Sequence, residues 1–215
     1  VALTPEKLTR VFYADNGSSG IEVALKMSFH YWLNESERAG SKATKTKFVT
    51  LANSYHGETL AALAVGNVEL YKKTYEPLLM TTFTAPSPDA YLAEPGESAE
   101  SCALRAAAEL EKILARHSEE ICAVIVEPLV QCAGNMRMYH PLYLTKLREL
   151  CDRYDVHLIA DEIAVGFGRT GTMFACQQAG ISPDLMCLSK DITGGRISLS
   201  AVLSTDAIYA AFLDA

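Results

Sequence analysis

Leu185-Met186-Cys187-Leu188-Ser189-Lys190-Asp191-Ile192-Thr193-Gly194-Gly195 decides how the rest of the chain is read. Four apolar residues run into a Ser-Lys step and then a glycine pair. The pattern predicts a buried strand that delivers one lysine to the rim of a sheet. A buried ammonium resists desolvation and tends to lose its proton. A neutral lysine amine is what a Schiff base with a carbonyl requires. For Lys190 taken alone, a surface lysine at a strand end is the plainer alternative.

Working outward, the same strand-into-polar-end pattern recurs. Val156-His157-Leu158-Ile159-Ala160 enters Asp161-Glu162, and the apolar run 121–126 ends at Glu127-Pro128. A continuous apolar run suits a strand covered on both faces. Phe48-Val49-Thr50-Leu51-Ala52 ends at Asn53-Ser54-Tyr55-His56-Gly57, and 80–84 and 199–203 also read as strands. The first strand, 10–15, runs into the turn cluster Asn16-Gly17-Ser18-Ser19-Gly20. Helical spacing follows over 21–32, with Val23, Ala24, Met27 and Tyr31 on one face, and returns over 58–65 and 101–118. Pro141 opens another helix, with Leu144, Leu147, Cys151 and Tyr154 along one side. Residues 34–47 read as polar loop. Strands alternating with helices predict an α/β fold, three layers with helices on both faces of a mainly parallel sheet. The proline-bearing stretch 85–101 is a loop within one domain, because apolar patterning resumes at once.

The 215 residues are 49% hydrophobic and 21% charged, enough for one ordinary core. A net charge of −7 argues against a nucleic-acid or anionic-membrane partner. No apolar run approaches the ~20 residues that cross a bilayer, and no signal-peptide pattern is present. The six cysteines form no Cys-x-x-Cys and the five histidines no metal spacing, which predicts packed, reduced thiols in a cytoplasmic protein. The chain begins without Met and ends, over 208–215, in a helical pattern with no C-cap. The expectation is a piece cut from a longer protein.

In a parallel sheet the C-terminal strand ends share one rim, and ligands bind there. Gly17 and Ser18, Tyr55, Glu127, Asp161 and Lys190 all fall at such ends. A Gly-Ser turn opening a helix can cradle a phosphate, although Ser and Asn there are also ordinary helix caps. Tyr55 offers an aromatic plate, or a packing tyrosine. Asp161-Glu162 alone fits a carboxylate partner, a Mg²⁺ site or a solvated pair. Together they describe a pyridoxal phosphate pocket, in which the cofactor serves as an electron sink. Lys190 holds its aldehyde, Asp161 pairs with the ring nitrogen, Tyr55 stacks on the ring, and Gly17 and Ser18 bind the phosphate through backbone N–H groups and the serine hydroxyl.

A competing motif is Gly166-Phe167-Gly168-Arg169-Thr170-Gly171, which matches the dinucleotide fingerprint, with Asp191 about 20 residues on. Two features oppose it. Residues 172–179 give barely two helical turns before Gly180 and Pro183, and Asp191 follows Lys190 into a turn instead of ending a strand.

These residues resemble the class III, fold-type I aminotransferases. The matching stretches include Phe12-Tyr13-Ala14-Asp15-Asn16-Gly17-Ser18, Tyr55-His56-Gly57-Glu58-Thr59, Val126-Glu127-Pro128-Leu129, the run 160–171, and Leu188-Ser189-Lys190 with Ile192-Thr193-Gly194-Gly195. Ala164 and the Tyr-His-Gly-Glu-Thr wording point to the branch that serves biotin synthesis. The resemblance implies pyridoxal phosphate on Lys190, with Asp161 as ring-nitrogen partner. It implies Tyr55 against both ring and substrate, and Gly17 and Ser18 at the phosphate. It implies a homodimer with a shared site, an S-adenosylmethionine donor and an 8-amino-7-oxononanoate acceptor. Other readings are a different omega-amino-acid aminotransferase of the same class and a relative that has lost catalysis. Asp191 stands where relatives usually carry Gly, and Arg196-Ile197-Ser198 where they carry Tyr-Leu-Pro. The first is expected to raise the lysine pKa, the second to disturb the turn. Residues 1–215 match the large domain alone, so this chain by itself is expected to be inactive.

Overall fold

The computed structural model describes residues 2–213. In chain order the elements are β1 (Leu8–Ala14), α1 (Gly17–Arg38), β2 (Lys47–Leu51), α2 (Leu60–Ala64), α3 (Glu69–Lys72), β3 (Phe83–Ala85), α4 (Ala99–His117) and β4 (Ile121–Val126). Then come β5 (Val130–Gln131), β6 (Arg137–Met138), α5 (Leu142–Arg153), β7 (His157–Asp161), β8 (Leu185–Leu188), β9 (Ser200–Thr205) and α6 (Asp206–Ala210).

Seven strands form one sheet in the order β1-β9-β8-β7-β4-β2-β3. β3, β2, β4, β7 and β8 pair in parallel, while β9 is antiparallel to both β8 and β1. β1 therefore runs the same way as β8, and six strands point their C-terminal ends at one rim. Every residue of β4 is buried, as expected for a strand with a helical layer on each face. On one face α4 and α5 pack Ala103, Leu110, Leu114, Leu144 and Leu147 against Val124 and Leu158. On the other, α1 packs Ile21, Ala24 and Leu25 against Ile125, Ile159 and Val202. The three-layer α/β/α reading holds. Truncating one of these leucines to alanine costs about 2–5 kcal/mol.

Some boundaries differ from the sequence reading. Residues 17–20, read as a loop, are the first turn of α1, because Asn16 caps the helix before Gly17. The helix also runs through Asn34 to Arg38, since the buried Asn34 amide donates to the Ala211 carbonyl at 2.9 Å and Arg38 pairs with Glu35. The expected strand 80–84 begins only at Phe83, and the helix 58–65 shortens to α2. The terminal helix spans Asp206–Ala210, and Asp214 and Ala215 of the expected pattern lie outside the described residues. All six cysteines are free thiols, five of them buried. Among the described residues no helix is long and apolar enough to cross a membrane.

Candidate active site

The strand rim opens into a cavity of about 400 Å³. Gly17, Ser18, Tyr55, Asp161 and Lys190 all line it, so the structure brings the five sequence-predicted residues together. Lys190 and Asp161, from adjacent strands, face the same space.

Asp161 ends β7 and is 5% exposed. Its Oδ1 accepts the Ile163 N–H at 3.1 Å, and its Oδ2 lies 2.8 Å from His56 Nδ1. Two contacts on one buried carboxylate fix its direction. His56 is buried, and its Nε2 has no hydrogen-bond partner. Sequence reading missed this residue. A lone histidine carries no spacing signal, and its partner is 105 residues away.

Glu162, next in sequence, turns to the opposite side. Its two oxygens accept the backbone N–H groups of Ala175 and Cys176 at 2.9 and 2.8 Å. The Asp-Glu pair is therefore split between cavity and scaffold. Among the described residues no cluster of three or more His, Cys, Asp or Glu is placed to hold a metal.

Glu127, just beyond β4, is 5% exposed. It accepts Tyr55 N–H at 2.9 Å and Cys132 N–H at 3.1 Å, tying two cavity loops together. Burial pushes its carboxyl up to about 7, with Asp161 adding and His56 opposing. Tyr55 is half-buried, and its hydroxyl donates to Glu58 at 3.2 Å. Burial and then Glu58 raise the phenol pKa.

The α1 N-terminus supplies an anion cradle. Asn16 takes the Ser19 and Gly20 N–H groups at 3.0 and 2.9 Å, which leaves those of Gly17 and Ser18 without an intrahelical acceptor. The Ser18 hydroxyl, expected to meet the phosphate, is already engaged within the protein. Ser18 Oγ accepts the Glu58 and Thr59 N–H groups at 3.1 and 3.0 Å and meets the Thr59 hydroxyl at 2.8 Å. It joins α1 to the loop before α2. Glu22 reinforces that join by accepting Ala61 and Ala62 N–H at 2.7 and 3.1 Å. Gly57 makes the approach possible, at φ 126, where a Cβ would sit 2.3 Å from Ser18 Oγ.

Lys190 departs from expectation in burial. Its side chain is exposed at the cavity mouth, two residues past the fully buried β8, so the burial that the sequence suggested is not found in this chain. Its backbone is left-handed, φ 45. Asp191 is not free beside it. Arg169 Nη2 and Nε reach Asp191 Oδ2 at 2.5 and 3.2 Å. The 194–198 turn forms despite the Arg-Ile-Ser wording. Gly194 and Gly195 take φ 59 and 75, Thr193 Oγ1 donates to the Ile197 carbonyl at 2.8 Å, and Ser198 Oγ to that of Asp15 at 2.6 Å.

The dinucleotide reading falls on local structure. Gly166–Gly171 forms turns with φ 58, 92 and 97 at Phe167, Gly168 and Gly171, and opens no α-helix. None of these six residues lines the cavity.

A cofactor bearing phosphate, a protonated ring nitrogen and an aldehyde fits this arrangement. The loop reaches the α1 N-terminus only because residue 57 has no Cβ, and the carboxylate and amine stand in one cavity large enough for a small ligand.

Comparison with known proteins agrees. The family described as aminotransferase class-III matches residues 1–214. The adenosylmethionine-8-amino-7-oxononanoate aminotransferase of Geobacter sulfurreducens is 45% identical over 212 residues, 98% of this chain and 46% of that protein. Its namesake from Helicobacter pylori is 50% identical over 207 residues, 95% and 44% of the two chains. The crystal structure of that enzyme from Methanocaldococcus jannaschii superposes with a TM-score of 0.87 at 36% identity, over 100% of this chain and 46% of the other. The omega transaminase from Pseudomonas jessenii in complex with PMP gives 0.90 at 34% identity, over 100% and 46%. The chain thus spans about half the length of the relatives it matches.

Proposed function

The chain belongs to the class-III aminotransferase family, and on that premise we propose that residues 1–215 are the cofactor-binding large domain of the aminotransferase that makes 7,8-diaminononanoate for biotin. The amino group comes from S-adenosylmethionine and goes to 8-amino-7-oxononanoate. One observation carries the reading: a single cavity joins a lysine amine, a carboxylate held by histidine and an open helix N-terminus. The relatives' names supply the substrates.

When bound, pyridoxal phosphate supplies an aldehyde that condenses with amines and a ring that withdraws electrons. Lys190 provides the protein amine for that condensation. Its amine would also move the proton at the substrate carbon that carries nitrogen, as general base and then acid. Asp161 would pair with the ring nitrogen and hold it protonated, and His56 fixes the carboxylate for that task. Gly17 and Ser18 offer N–H groups to the phosphate. Tyr55 would cover the ring and meet the substrate, and Glu127 holds Tyr55 by its backbone.

The assembly we propose is a cytoplasmic homodimer with a shared site, acting on small molecules, with these 215 residues inactive alone. The superposition with the Pseudomonas jessenii omega transaminase, 0.90, supports a second reading as another omega-amino-acid aminotransferase. Full-length protein given S-adenosylmethionine and 8-amino-7-oxononanoate, with products read by mass spectrometry, decides between them. Diaminononanoate formed by wild type and lost in Lys190→Ala supports the proposal. Turnover with simple omega-amines but none with S-adenosylmethionine replaces it with the second reading.

A further inference from the structure

Two glycine-rich turns meet at an ion pair, one after β7 carrying Arg169 and one after β8 carrying Asp191 and the cavity-lining Lys190. The second turn is closed mainly by its own backbone: Ile192 N–H donates to the Ser189 carbonyl at 3.1 Å and Gly194 N–H to that of Asp191 at 3.2 Å. Lys190 sits within it at φ 45. A side-chain-bearing residue in that region is strained and persists only when its surroundings over-determine it. The residue beside it is anchored from outside the turn. Two guanidinium nitrogens of Arg169 converge on Asp191 Oδ2 at 2.5 and 3.2 Å, and among the described residues no other cation lies within ion-pair distance of that carboxylate. Arg169 is 55% exposed and Asp191 33%. A single-contact pair this open contributes little, but two charge-assisted hydrogen bonds onto one oxygen restrict direction as well as distance.

We propose that the Arg169–Asp191 ion pair is a clamp between the two turns that holds the Lys190 backbone left-handed and so aims its amine into the cavity. Both are positioning residues. Asp191 acts on the lysine through Arg169 and not as a free neighbouring charge. The inference rests on Lys190 being the cofactor lysine.

The test uses full-length enzyme stripped of cofactor. It follows the rate at which added pyridoxal phosphate develops absorbance near ~420 nm, the hydrogen exchange of amides 190–196, and the melting midpoint. Asp191→Asn and Arg169→Gln are each expected to slow loading roughly fivefold and to lose amide protection, with the midpoint moved by less than about 2 °C. The double variant is expected to be no slower than the slower single, and the swapped pair Arg169→Asp with Asp191→Arg to recover at least half the wild-type rate. Singles within twofold of wild type, losses that multiply in the double, or no recovery on swapping overturn the clamp. If wild type develops no band, the cofactor role of Lys190 falls. Exchange then still decides: protection lost in the singles and regained in the swap keeps the clamp, and unchanged protection overturns it.

Discussion

Gly57→Ala perturbs the cradle at its tightest point. Gly57 adopts φ 126, a conformation that side chains rarely take, and strain of that kind costs about 1–3 kcal/mol. The new Cβ would lie 2.3 Å from Ser18 Oγ, 2.7 Å from Ser18 Cβ and 3.0 Å from Ser18 Cα. The last is backbone in the first turn of α1 and cannot rotate away. Overlap of this sort adds about 1–3 kcal/mol, for a total of about 2–6 kcal/mol. The loop escapes by withdrawing from α1, which breaks the bonds from Glu58 and Thr59 N–H to Ser18 Oγ and opens the proposed phosphate cradle. In full-length enzyme, urea unfolding of the apo form is expected to show at least about 2 kcal/mol of lost stability. Fluorescence titration is expected to show pyridoxal phosphate binding weakened at least tenfold, because 1.4 kcal/mol is a factor of ten. A stability change below about 0.5 kcal/mol with binding within twofold would refute the reasoning, since it means the strain and overlap do not exist.

Two buried groups predict pH effects of opposite sign. Glu127 has its carboxyl raised to about 7 by burial, so the folded state holds a proton the unfolded chain has released. Its contribution is fully present below about 4.5 and is lost as pH rises through 7, some 3 kcal/mol in all. Glu127→Gln removes that loss, so urea unfolding at pH 5 and pH 8 should show the variant gaining on wild type by about 2–3 kcal/mol; parallel pH curves contradict this. His157 is 8% exposed, and its ring is lowered to about 4 by burial, with Nδ1 2.9 Å from the Ser28 hydroxyl. Its contribution is present above about 6.5 and is lost as pH falls towards 4, so His157→Gln should flatten the acid limb between those values by a similar amount. An unchanged acid limb removes His157 as its source.

The parts of the fold legible in the sequence were those set by long apolar patterns. The run 121–126 is β4 and Leu185–Leu188 is β8, because a strand covered on both faces needs every residue apolar. The antiparallel return of β9 was not anticipated, yet a signal existed. The stretch 189–199 between β8 and β9 holds a glycine pair and is short for a covered crossover. That five residues share one cavity was legible because parallel strands share a rim. His56 was not, since its role comes from a partner far along the chain. Nor was the exposure of Lys190, because a strand's pattern says how its own residues are covered and not what lies above its end. Asp191 looked like a charge beside the lysine, and only the folded turns show Arg169 reaching it.

The most direct test is a peptide map of full-length enzyme reduced with borohydride in the presence of pyridoxal phosphate. A phosphopyridoxyl group on Lys190, absent when Asp161 is replaced by Ala and the cavity is left without its buried carboxylate, is the predicted result. A label on any other lysine, or none on Lys190 in wild type, contradicts the account.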